Sequence, residues 1–321
     1  MIGAPYHSDV ALGPLPTAAK WLQADDGKHL RGVAWAGPKA GTVFLFTGRT
    51  EYAEKYGDVV AEFAKRGLAC VTCDWRGQGL SERFPHHYQI GEVDDFSDYQ
   101  KDVQAMLAFA KAQNLPKPFY ALGHSLGGGI LLRALHNGFP AHKALFSSPM
   151  WGIQVPPILN AVSRVIIACY RGLGIEKRIA PGRSLENYVE RQPFKGNALT
   201  NDFHEYHLLR RQVMSHPELG LGGPSLNWVD LALTECDELQ NATPPAYDCL
   251  TIYAGGDQIV SNTAIEKILS RWQSATGVCI PGAEHEILME ERTMRQTVWS
   301  KIDDFLDVQP AKGPKRSKAA A

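Results

Sequence analysis

The run Gly123-His124-Ser125-Leu126-Gly127 places a serine between two glycines, with one residue on either side. It directly follows the apolar run 119–122 and precedes an apolar helical pattern, so the serine is expected on a strand-to-helix turn. Such a turn strains the backbone, and glycines two residues away on each side avoid collisions. The spacing therefore predicts that Ser125 is a nucleophile. The alternative is a glycine-rich helix start with a capping serine.

A serine hydroxyl is a weak nucleophile and needs an adjacent base. His285 follows the strand pattern that ends at Ile280, in a loop of the kind where catalytic groups collect in open parallel sheets. Asp257 follows the strand pattern of 250–253, one helix and one strand before His285. We therefore expect both side chains at the ends of neighbouring strands, with Asp257 accepting a hydrogen bond from His285. A structural histidine and an aspartate in an ordinary turn are the alternatives.

Acyl transfer also needs backbone N–H groups that bind the oxyanion of the tetrahedral intermediate. We expect one from Leu126, the residue after the nucleophile. The other is expected from Arg49, in the loop after the apolar run 43–46, where Gly48 allows the backbone to approach a substrate closely. This chemistry needs neither a metal nor an organic cofactor, and we expect none.

Short apolar runs alternate with helix-length segments along most of the chain. This alternation predicts an α/β fold with a mostly parallel central sheet and helices on both faces. Strands are predicted over 20–23, 30–35, 43–46, 68–73, 119–122, 144–146, 250–253 and 278–280, with the first two as a hairpin. Helices are predicted over 51–66, 94–113, 126–137, 263–272 and 290–306.

The alternation stops after residue 148 and resumes near residue 241. Between these points, helical patterns over 156–171 and 224–239 predict an inserted, largely helical cap. The last residues are rich in lysine, proline and alanine, which is typical of a disordered basic tail. The predicted organisation is an α/β core of residues 1–148 and 241–309, a helical cap of residues 149–240, and a tail of residues 310–321.

Composition narrows the class of protein. The chain has 44% hydrophobic residues, 21% charged residues and a formal net charge of −1, so it lacks the basic excess of a nucleic-acid binder. The six cysteines are interpreted as buried free thiols, including Cys70 and Cys73, whose spacing alone does not define a metal or redox site. Residues 1–15 have no signal-peptide pattern and prolines interrupt the uncharged stretch 144–163, so a cytoplasmic protein is expected.

Several motifs together make the chain similar to the monoacylglycerol lipase and bacterial lysophospholipase branch of the α/β-hydrolase superfamily. The resemblance covers about residues 17–308 and rests on Gly48-Arg49-Thr50-Glu51, Asp74-Trp75-Arg76-Gly77-Gln78-Gly79-Leu80-Ser81, Gly123-His124-Ser125-Leu126-Gly127-Gly128, Gly256-Asp257-Gln258-Ile259-Val260 and Ala283-Glu284-His285-Glu286. It implies an α/β-hydrolase fold, for which the chain order serine, aspartate, histidine is typical. It also implies a supporting role for the segment 74–81. Thr47 stands where monoacylglycerol lipases usually carry a histidine, which makes the loop more similar to bacterial lysophospholipases.

The resemblance implies cleavage of a carboxylic ester of a lipid-like substrate, a lysophospholipid or a monoacylglycerol, through an acyl-enzyme intermediate. The Arg49 side chain is a candidate contact for a phosphate, or is held by a carboxylate such as Glu51. The predicted cap helix carries Ile158 and Val162, which line an acyl-chain channel, contact the inner face of the membrane, or only pack the cap onto the core. No nucleic-acid partner is expected, and the oligomeric state is not predicted.

Other functions remain open at this point. The same triad serves short-chain carboxylesterases and amidases, and a non-catalytic binding protein can use the same fold. Such binding proteins typically lose a triad member, whereas all three are present here. An aspartate at position 125 would indicate an epoxide hydrolase or a dehalogenase, and a cysteine at such a turn would indicate a thiol enzyme; position 125 is a serine.

Overall fold

The computed structural model describes residues 2–37, 40–84, 88–154, 167 and 170–310. Within this part of the chain, eight strands form one sheet in the order β1-β2-β4-β3-β5-β6-β7-β8. The first two pairings, β1 with β2 and β2 with β4, are antiparallel, and the remaining pairings are parallel. The strands are β1 (Ala18–Gln23), β2 (His29–Trp35), β3 (Thr42–Phe46), β4 (Ala69–Cys73), β5 (Phe119–His124), β6 (Lys143–Ser147), β7 (Cys249–Ala254) and β8 (Ala275–Ile280). The predicted mostly parallel sheet with an opening hairpin is confirmed.

Helices connect the strands and cover the sheet. In chain order they are α1 (Gly57–Lys65), α2 (Asp98–Ala112), α3 (Leu126–His136), α4 (Tyr188–Arg191), α5 (Phe203–Ser215), α6 (Leu226–Asn241), α7 (Asn262–Leu269) and α8 (Arg292–Leu306). Short 3-10 turns lie at Ala53–Tyr56, Pro217–Leu219 and Ile287–Met289. The helix predicted over 51–66 is therefore a 3-10 turn followed by α1.

Besides α6, which begins at Leu226 rather than residue 224, two helices begin later than the sequence pattern indicates. Helix α2 begins at Asp98 rather than residue 94, because the carboxylate of Asp95 accepts the backbone N–H of Ser97 in a turn. Helix α8 begins at Arg292 rather than residue 290, because the Glu290 carboxylate accepts backbone N–H groups from outside the helix. In both cases a side chain that can bond to the backbone favours the turn over another helical residue.

Alternate side chains of β3 face two different cores. Phe44 and Phe46 pack in the core that includes α2 and α3, whereas Val43 and Leu45 pack in the core that includes α1 and α8. All five residues of β3 are buried. Burial on both faces explains why this strand is a continuous apolar run instead of an alternating one. In the order of the strands, β3 lies between β4 and β5, so its carboxyl end is in the middle of the sheet.

The connection between β6 and β7 leaves the sheet and returns to the neighbouring strand, and it contains α4, α5 and α6. Leu209 and Val213 of α5 pack with Tyr52, which follows β3, and with Met289, which follows β8. Helix α5 therefore lies over the carboxyl ends of β3 and β8.

Some predicted features lie outside the described residues. They include most of the helix over 156–171, with Ile158 and Val162, and the tail after Pro310. In the part of the chain that the structure describes, no helix is long and apolar enough to cross a membrane. The interpretation of every cysteine as buried is wrong for Cys279, which is exposed because β8 is an edge strand of the sheet.

Candidate active site

Ser125 lies on the turn between β5 and α3. Its backbone has φ 50° and ψ −121°, a conformation that non-glycine residues rarely adopt. A Cβ on Gly123 would lie 2.8 Å from the carbonyl oxygen of Gly127, and a Cβ on Gly127 would lie 2.0 Å from that of Phe46. Both glycines are therefore required by the close packing of β3, β5 and α3. Among the described residues, the N–H of Leu126 has no hydrogen-bond acceptor.

The structure brings Ser125, His285 and Asp257 into one hydrogen-bonded row. Nε2 of His285 lies 2.9 Å from Oγ of Ser125, and Nδ1 lies 2.7 Å from Oδ2 of Asp257. His285 follows β8 and Asp257 follows β7, and these strands are neighbours. An ionised carboxylate can only accept, so Nδ1 carries the proton, and in the neutral imidazole the lone pair of Nε2 faces the serine hydroxyl.

The environment of Asp257 keeps its carboxylate ionised. Burial acts to raise the pKa of Asp257, but His285 and two backbone N–H groups outweigh burial and hold the pKa below its ordinary value. The N–H groups of Ile259 and Val260 donate to Oδ1 at 2.8 and 3.0 Å, and Oδ2 remains for His285. The carboxylate is therefore fixed in orientation as well as in charge.

The loop after β3 carries Arg49 between two residues whose backbone N–H groups are paired. The N–H of Gly48 donates to the carboxylate of Glu51, and the N–H of Thr50 donates to Oε1 of Gln78 at 2.6 Å. In the described part of the chain, no acceptor is found for the N–H of Arg49, which lies between them. The backbone N–H groups of Arg49 and Leu126 are therefore two unpaired donors of the kind that an oxyanion requires.

The segment 74–81 supports this loop and does not enter the row of three side chains. Nε1 of Trp75 donates to the carbonyl oxygen of Thr47 at 2.8 Å. Asp74 accepts the backbone N–H of Ala53 at 3.0 Å and pairs with the buried guanidinium of Arg31 at 2.7 Å. These contacts agree with the supporting role that the resemblance implies.

The side chain of Arg49 is held by carbonyl groups and an aromatic ring. Its guanidinium donates to the carbonyl oxygens of Gly222 at 3.0 Å and Ile90 at 2.7 Å, and it lies 4.9 Å from the centre of the Trp228 ring. Arg49 does not pair with Glu51, as one alternative predicted, because Glu51 has other partners. Within the described residues no carboxylate lies within 4.0 Å of the Arg49 guanidinium. Burial lowers the pKa of Arg49 to about 10, so the group remains charged at neutral pH.

A cleft of about 440 Å³ opens onto Ser125 and His285. Apolar and aromatic side chains form part of its wall, and charged side chains, including Glu51, Lys55 and Glu286 as well as two arginines, form the rest with polar ones. The apolar side chains include Tyr52, Tyr188, Val189, Leu199, Leu209 and Val213, and the arginines are Arg49 and Arg183. A larger cavity of about 730 Å³ lies between α1 and α8, but it is lined mainly by charged side chains and none of the three residues in the row borders it. The smaller cleft is therefore the candidate substrate site.

A buried charge cluster lies beside His285, and sequence reasoning missed it. The ammonium of Lys55 is bonded to Glu51 and lies 2.6 Å from Oε1 of Glu286. Nε2 of His124 lies 3.2 Å from Oε2 of Glu286 and 3.5 Å from Oε1 of Glu51. Glu51, His124 and Glu286 have the donor atoms of a metal site, but Lys55 is bonded to both carboxylates and supplies the cation. We call these four residues the charge cluster.

Lys55, His124 and Glu286 are each stabilised in the charged form. Burial acts to lower the pKa of Lys55 and of His124, but the carboxylates of Glu286 and Glu51 outweigh it and raise both. Burial acts to raise the pKa of Glu286, whereas Lys55 and His124 hold it well below its ordinary value. The spacing of Glu51 and Lys55, four residues apart, was the only local signal of this arrangement.

The fold and the strand–serine–helix turn define an α/β hydrolase. Residues 37–292 match the family model described as serine aminopeptidase, S33, and the chain belongs to this hydrolase family. The probable lysophospholipase L2 of Haemophilus influenzae is 29% identical over 270 residues, which cover 83% of this chain and 84% of that protein. Lysophospholipase L2 of Escherichia coli K12 is 29% identical over 280 residues, which cover 83% of this chain and 80% of that protein.

Solved structures confirm the predicted α/β-hydrolase fold. A soluble variant of monoglyceride lipase from Saccharomyces cerevisiae superposes with a TM-score of 0.71 at 21% identity, covering 95% of this chain and 98% of that one. A carboxyl esterase from Bacillus coagulans superposes with a TM-score of 0.70 at 15% identity, covering 92% of this chain and 99% of that one. At these identities the superpositions establish the fold alone.

Proposed function

We propose that this chain is a serine hydrolase that cleaves carboxylic esters of lipid-like substrates, with lysophospholipids as the preferred class. Ser125 is the nucleophile, His285 the general base and Asp257 the carboxylate that orients it. The observation that carries this proposal is the row of hydrogen bonds of 2.9 and 2.7 Å that joins the three side chains. Membership of a serine hydrolase family supports the same chemistry.

The reaction proceeds through an acyl-enzyme. Oγ of Ser125 attacks the ester carbonyl while Nε2 of His285 takes the hydroxyl proton, and the backbone N–H groups of Arg49 and Leu126 stabilise the oxyanion. When the tetrahedral intermediate collapses, His285 returns the proton to the leaving alcohol. A water molecule, deprotonated by the same imidazole, then attacks the acyl-enzyme and releases the carboxylic acid. Asp257 stabilises the imidazolium in both halves.

The Arg49 side chain supports a substrate that carries a negative charge. Its charge is buried with no carboxylate of the described residues within 4.0 Å, and leaving a buried charge uncompensated is costly. A phosphate oxygen in the cleft would offset that cost, and Arg183 lines the same cleft. The lysophospholipase names of the two relatives at 29% identity agree with this class.

The cleft offers little to a substrate that carries an amino group. Its carboxylates, Glu51 and Glu286, are both bonded to Lys55 and are not available to bind an ammonium. This argues for an ester rather than a peptide with a free amino terminus, although the family model is described as an aminopeptidase. A neutral monoacylglycerol, a short-chain ester and an amide are the competing substrates.

We also propose that residues 149–240 form the cap over this cleft, and that a cytoplasmic chain contacts the inner face of a membrane through it. Phe203 and Met214 of α5 are 52% and 60% exposed, and large exposed apolar side chains favour such contact. The test is co-sedimentation with anionic vesicles, with Phe203→Ser/Met214→Ser as the variant. Equal binding by the native chain and the variant would contradict this location of the contact.

The substrate is tested with a side-by-side panel of lysophospholipids, monoacylglycerols, p-nitrophenyl esters and p-nitroanilides. We expect kcat/KM to be highest for the lysophospholipids, and Ser125→Ala to lose activity on every ester. Fluorophosphonate labelling of the native chain but not of Ser125→Ala supports the nucleophile independently of the substrate. Predominant short-ester turnover with negligible lipid turnover would remove the lipid assignment, and absence of labelling would favour a binding protein.

A further inference from the structure

The charge cluster joins the two loops that carry the catalytic groups. Glu51 lies in the loop after β3, which presents the N–H of Arg49, and Glu286 is the residue after His285. Lys55 is the bridge between them, and its side chain is only 5% exposed. The row of Ser125, His285 and Asp257 does not include Lys55.

We propose that Lys55 is a positioning residue that acts through Glu51 and Glu286. It fixes the loop after β3, which we call the oxyanion loop, and the loop of His285 relative to each other. This inference rests on the proposed function, because it assigns a role in the reaction that Ser125 and His285 perform. It adds a residue that holds two parts of the site in register.

Glu51 holds the oxyanion loop in a strained shape. Its carboxylate accepts the backbone N–H of Gly48 and the hydroxyl of Tyr56, the latter at 2.6 Å. Thr50 has φ 68°, in the left-handed region that non-glycine residues enter only when their surroundings hold them there. Because the amide of Arg49 belongs to this loop, the position of the Glu51 carboxylate sets the direction of that N–H.

Glu286 fixes the other loop next to the catalytic imidazole. Its backbone N–H donates to the carbonyl oxygen of Leu199 at 2.7 Å, and its carboxylate contacts Lys55 at 2.6 Å and His124 at 3.2 Å. A shift of this side chain would move the backbone of the adjacent His285. Misplacement of reacting groups by about 1 Å is enough to reduce a rate about 10²-fold.

The cluster is balanced in charge only when His124 is protonated. Nδ1 of His124 lies 3.0 Å from the carbonyl oxygen of Ser147, which can only accept, and Nε2 faces the Glu286 carboxylate. The carboxylates of Glu286 and Glu51 raise the pKa of His124, which favours the imidazolium, and the imidazolium and the Lys55 ammonium together match the two carboxylates. Removing Lys55 leaves one buried carboxylate without a counter-charge, so the two loops are expected to separate or to admit water.

The first test compares Lys55→Met, Lys55→Arg and the control Lys65→Met, whose native side chain is 58% exposed on α1. We expect kcat of Lys55→Met to fall by about 10²-fold or more, as when one oxyanion donor is lost, with KM changed by less than about threefold. Lys55→Arg should recover part of kcat, and Lys65→Met should match the native chain. A folded Lys55→Met chain with kcat within about threefold of native would overturn the proposal.

A second variant separates positioning from charge balance and from loss of folding. Lys55→Met/Glu51→Gln leaves the Glu286–His124 pair balanced, so it should fold even where Lys55→Met does not. We expect it to stay low in kcat and to bind an alkyl boronic acid, which forms a charged tetrahedral adduct on the serine, about 10²-fold more weakly, with unchanged affinity for the fatty-acid product. If this variant kept the native kcat and the native boronate affinity, Lys55 would only balance charge, and the proposed positioning role would be overturned. Failure of the native chain to label with fluorophosphonate would instead refute the proposed function.

Discussion

Nε2 of His285 lies 2.9 Å from Oγ of Ser125, although 160 residues separate the two along the chain. The serine is on the strained turn after β5, and the histidine follows β8 at the opposite side of β6 and β7. Their contact depends on the parallel register of these strands, because parallel strands bring their carboxyl ends to one edge of the sheet.

Replacing Asp257 with asparagine should lower the rate without removing the nucleophile. The amide would favour the wrong tautomer of His285, and loss of this carboxylate in a triad reduces kcat about 10⁴-fold. The measurement is kcat on a lysophospholipid, with circular dichroism to verify folding. Asp25→Asn, at an exposed position in the turn between β1 and β2, is the control. An Asp257→Asn chain with more than about a tenth of the native kcat would contradict the role of this carboxylate.

Arg49→Met should change substrate preference rather than overall catalysis. The backbone N–H is retained, so hydrolysis of a neutral monoacylglycerol should change little. A lost charge-assisted hydrogen bond is equivalent to about 1.5–3 kcal/mol, or about 10–100-fold in kcat/KM for a lysophospholipid. The ratio of the two kcat/KM values in each chain is the measurement. An equal loss for both substrates would mean that Arg49 supports the fold and does not bind the phosphate.

Gly127→Ala should unfold or severely destabilise the chain. The new Cβ would lie 2.0 Å from the carbonyl oxygen of Phe46, a backbone atom that cannot move without disrupting β3. We expect the free energy of unfolding in urea to fall by more than about 3 kcal/mol, the range of severe overpacking in a core. Gly172→Ala is the matched control, since among the described residues no neighbouring atom lies within 4 Å of its added Cβ. Similar stability of the two variants would show that β3 and α3 are not so closely packed.

The charge on His124 should make the free energy of unfolding fall as the pH rises into the alkaline range. Its pKa is raised above the ordinary value of 6.5 because Glu286 and Glu51 outweigh burial, while Lys55 opposes them. A group whose pKa is higher in the folded state stabilises that state fully below the unfolded pKa, and this contribution is lost as the pH rises through the folded pKa. We therefore expect the free energy of unfolding of the native chain, relative to His124→Gln, to fall as the pH increases above 6.5.

The measurement is urea unfolding at several pH values from about 6 to about 9, which spans the ordinary range of histidine titration and beyond. His207→Gln, at an exposed position of α5, is the control and should follow the native curve. A difference between the native chain and His124→Gln that does not change with pH would show that the charge on His124 does not contribute to stability.

The sheet and the three residues of the row could be predicted because local patterns specify them. Continuous apolar runs predict buried parallel strands, and the glycines around Ser125 have steric reasons that spacing alone reveals. Helix α5 was missed although Tyr206, Leu209 and Val213 have helical spacing, since its other residues are mainly polar. The start of α5 could also have been predicted from Asp202, whose carboxylate accepts backbone N–H groups of the first helical turn.

The charge cluster could not be predicted in the same way. Lys55 and Glu286 are 231 residues apart, and neither lies in a local pattern that distinguishes a buried pair from two solvated side chains. The predicted pairing of the Arg49 side chain with Glu51 was also wrong. Its contacts with Trp228 and the carbonyl oxygen of Gly222 come from a distant part of the chain. Long-range polar contacts depend on the assembled fold, which spacing does not encode.

The burial of the charge cluster limits how the sequence can diverge. A single exchange at Glu51, Lys55, His124 or Glu286 leaves a buried charge without its counter-charge, which is destabilising, so we expect such single changes to be rare. Neutral or sign-reversed sets are accessible only when two positions change together. Among homologous sequences, these four positions should covary as pairs, whereas Lys65, whose side chain is 58% exposed, should drift independently.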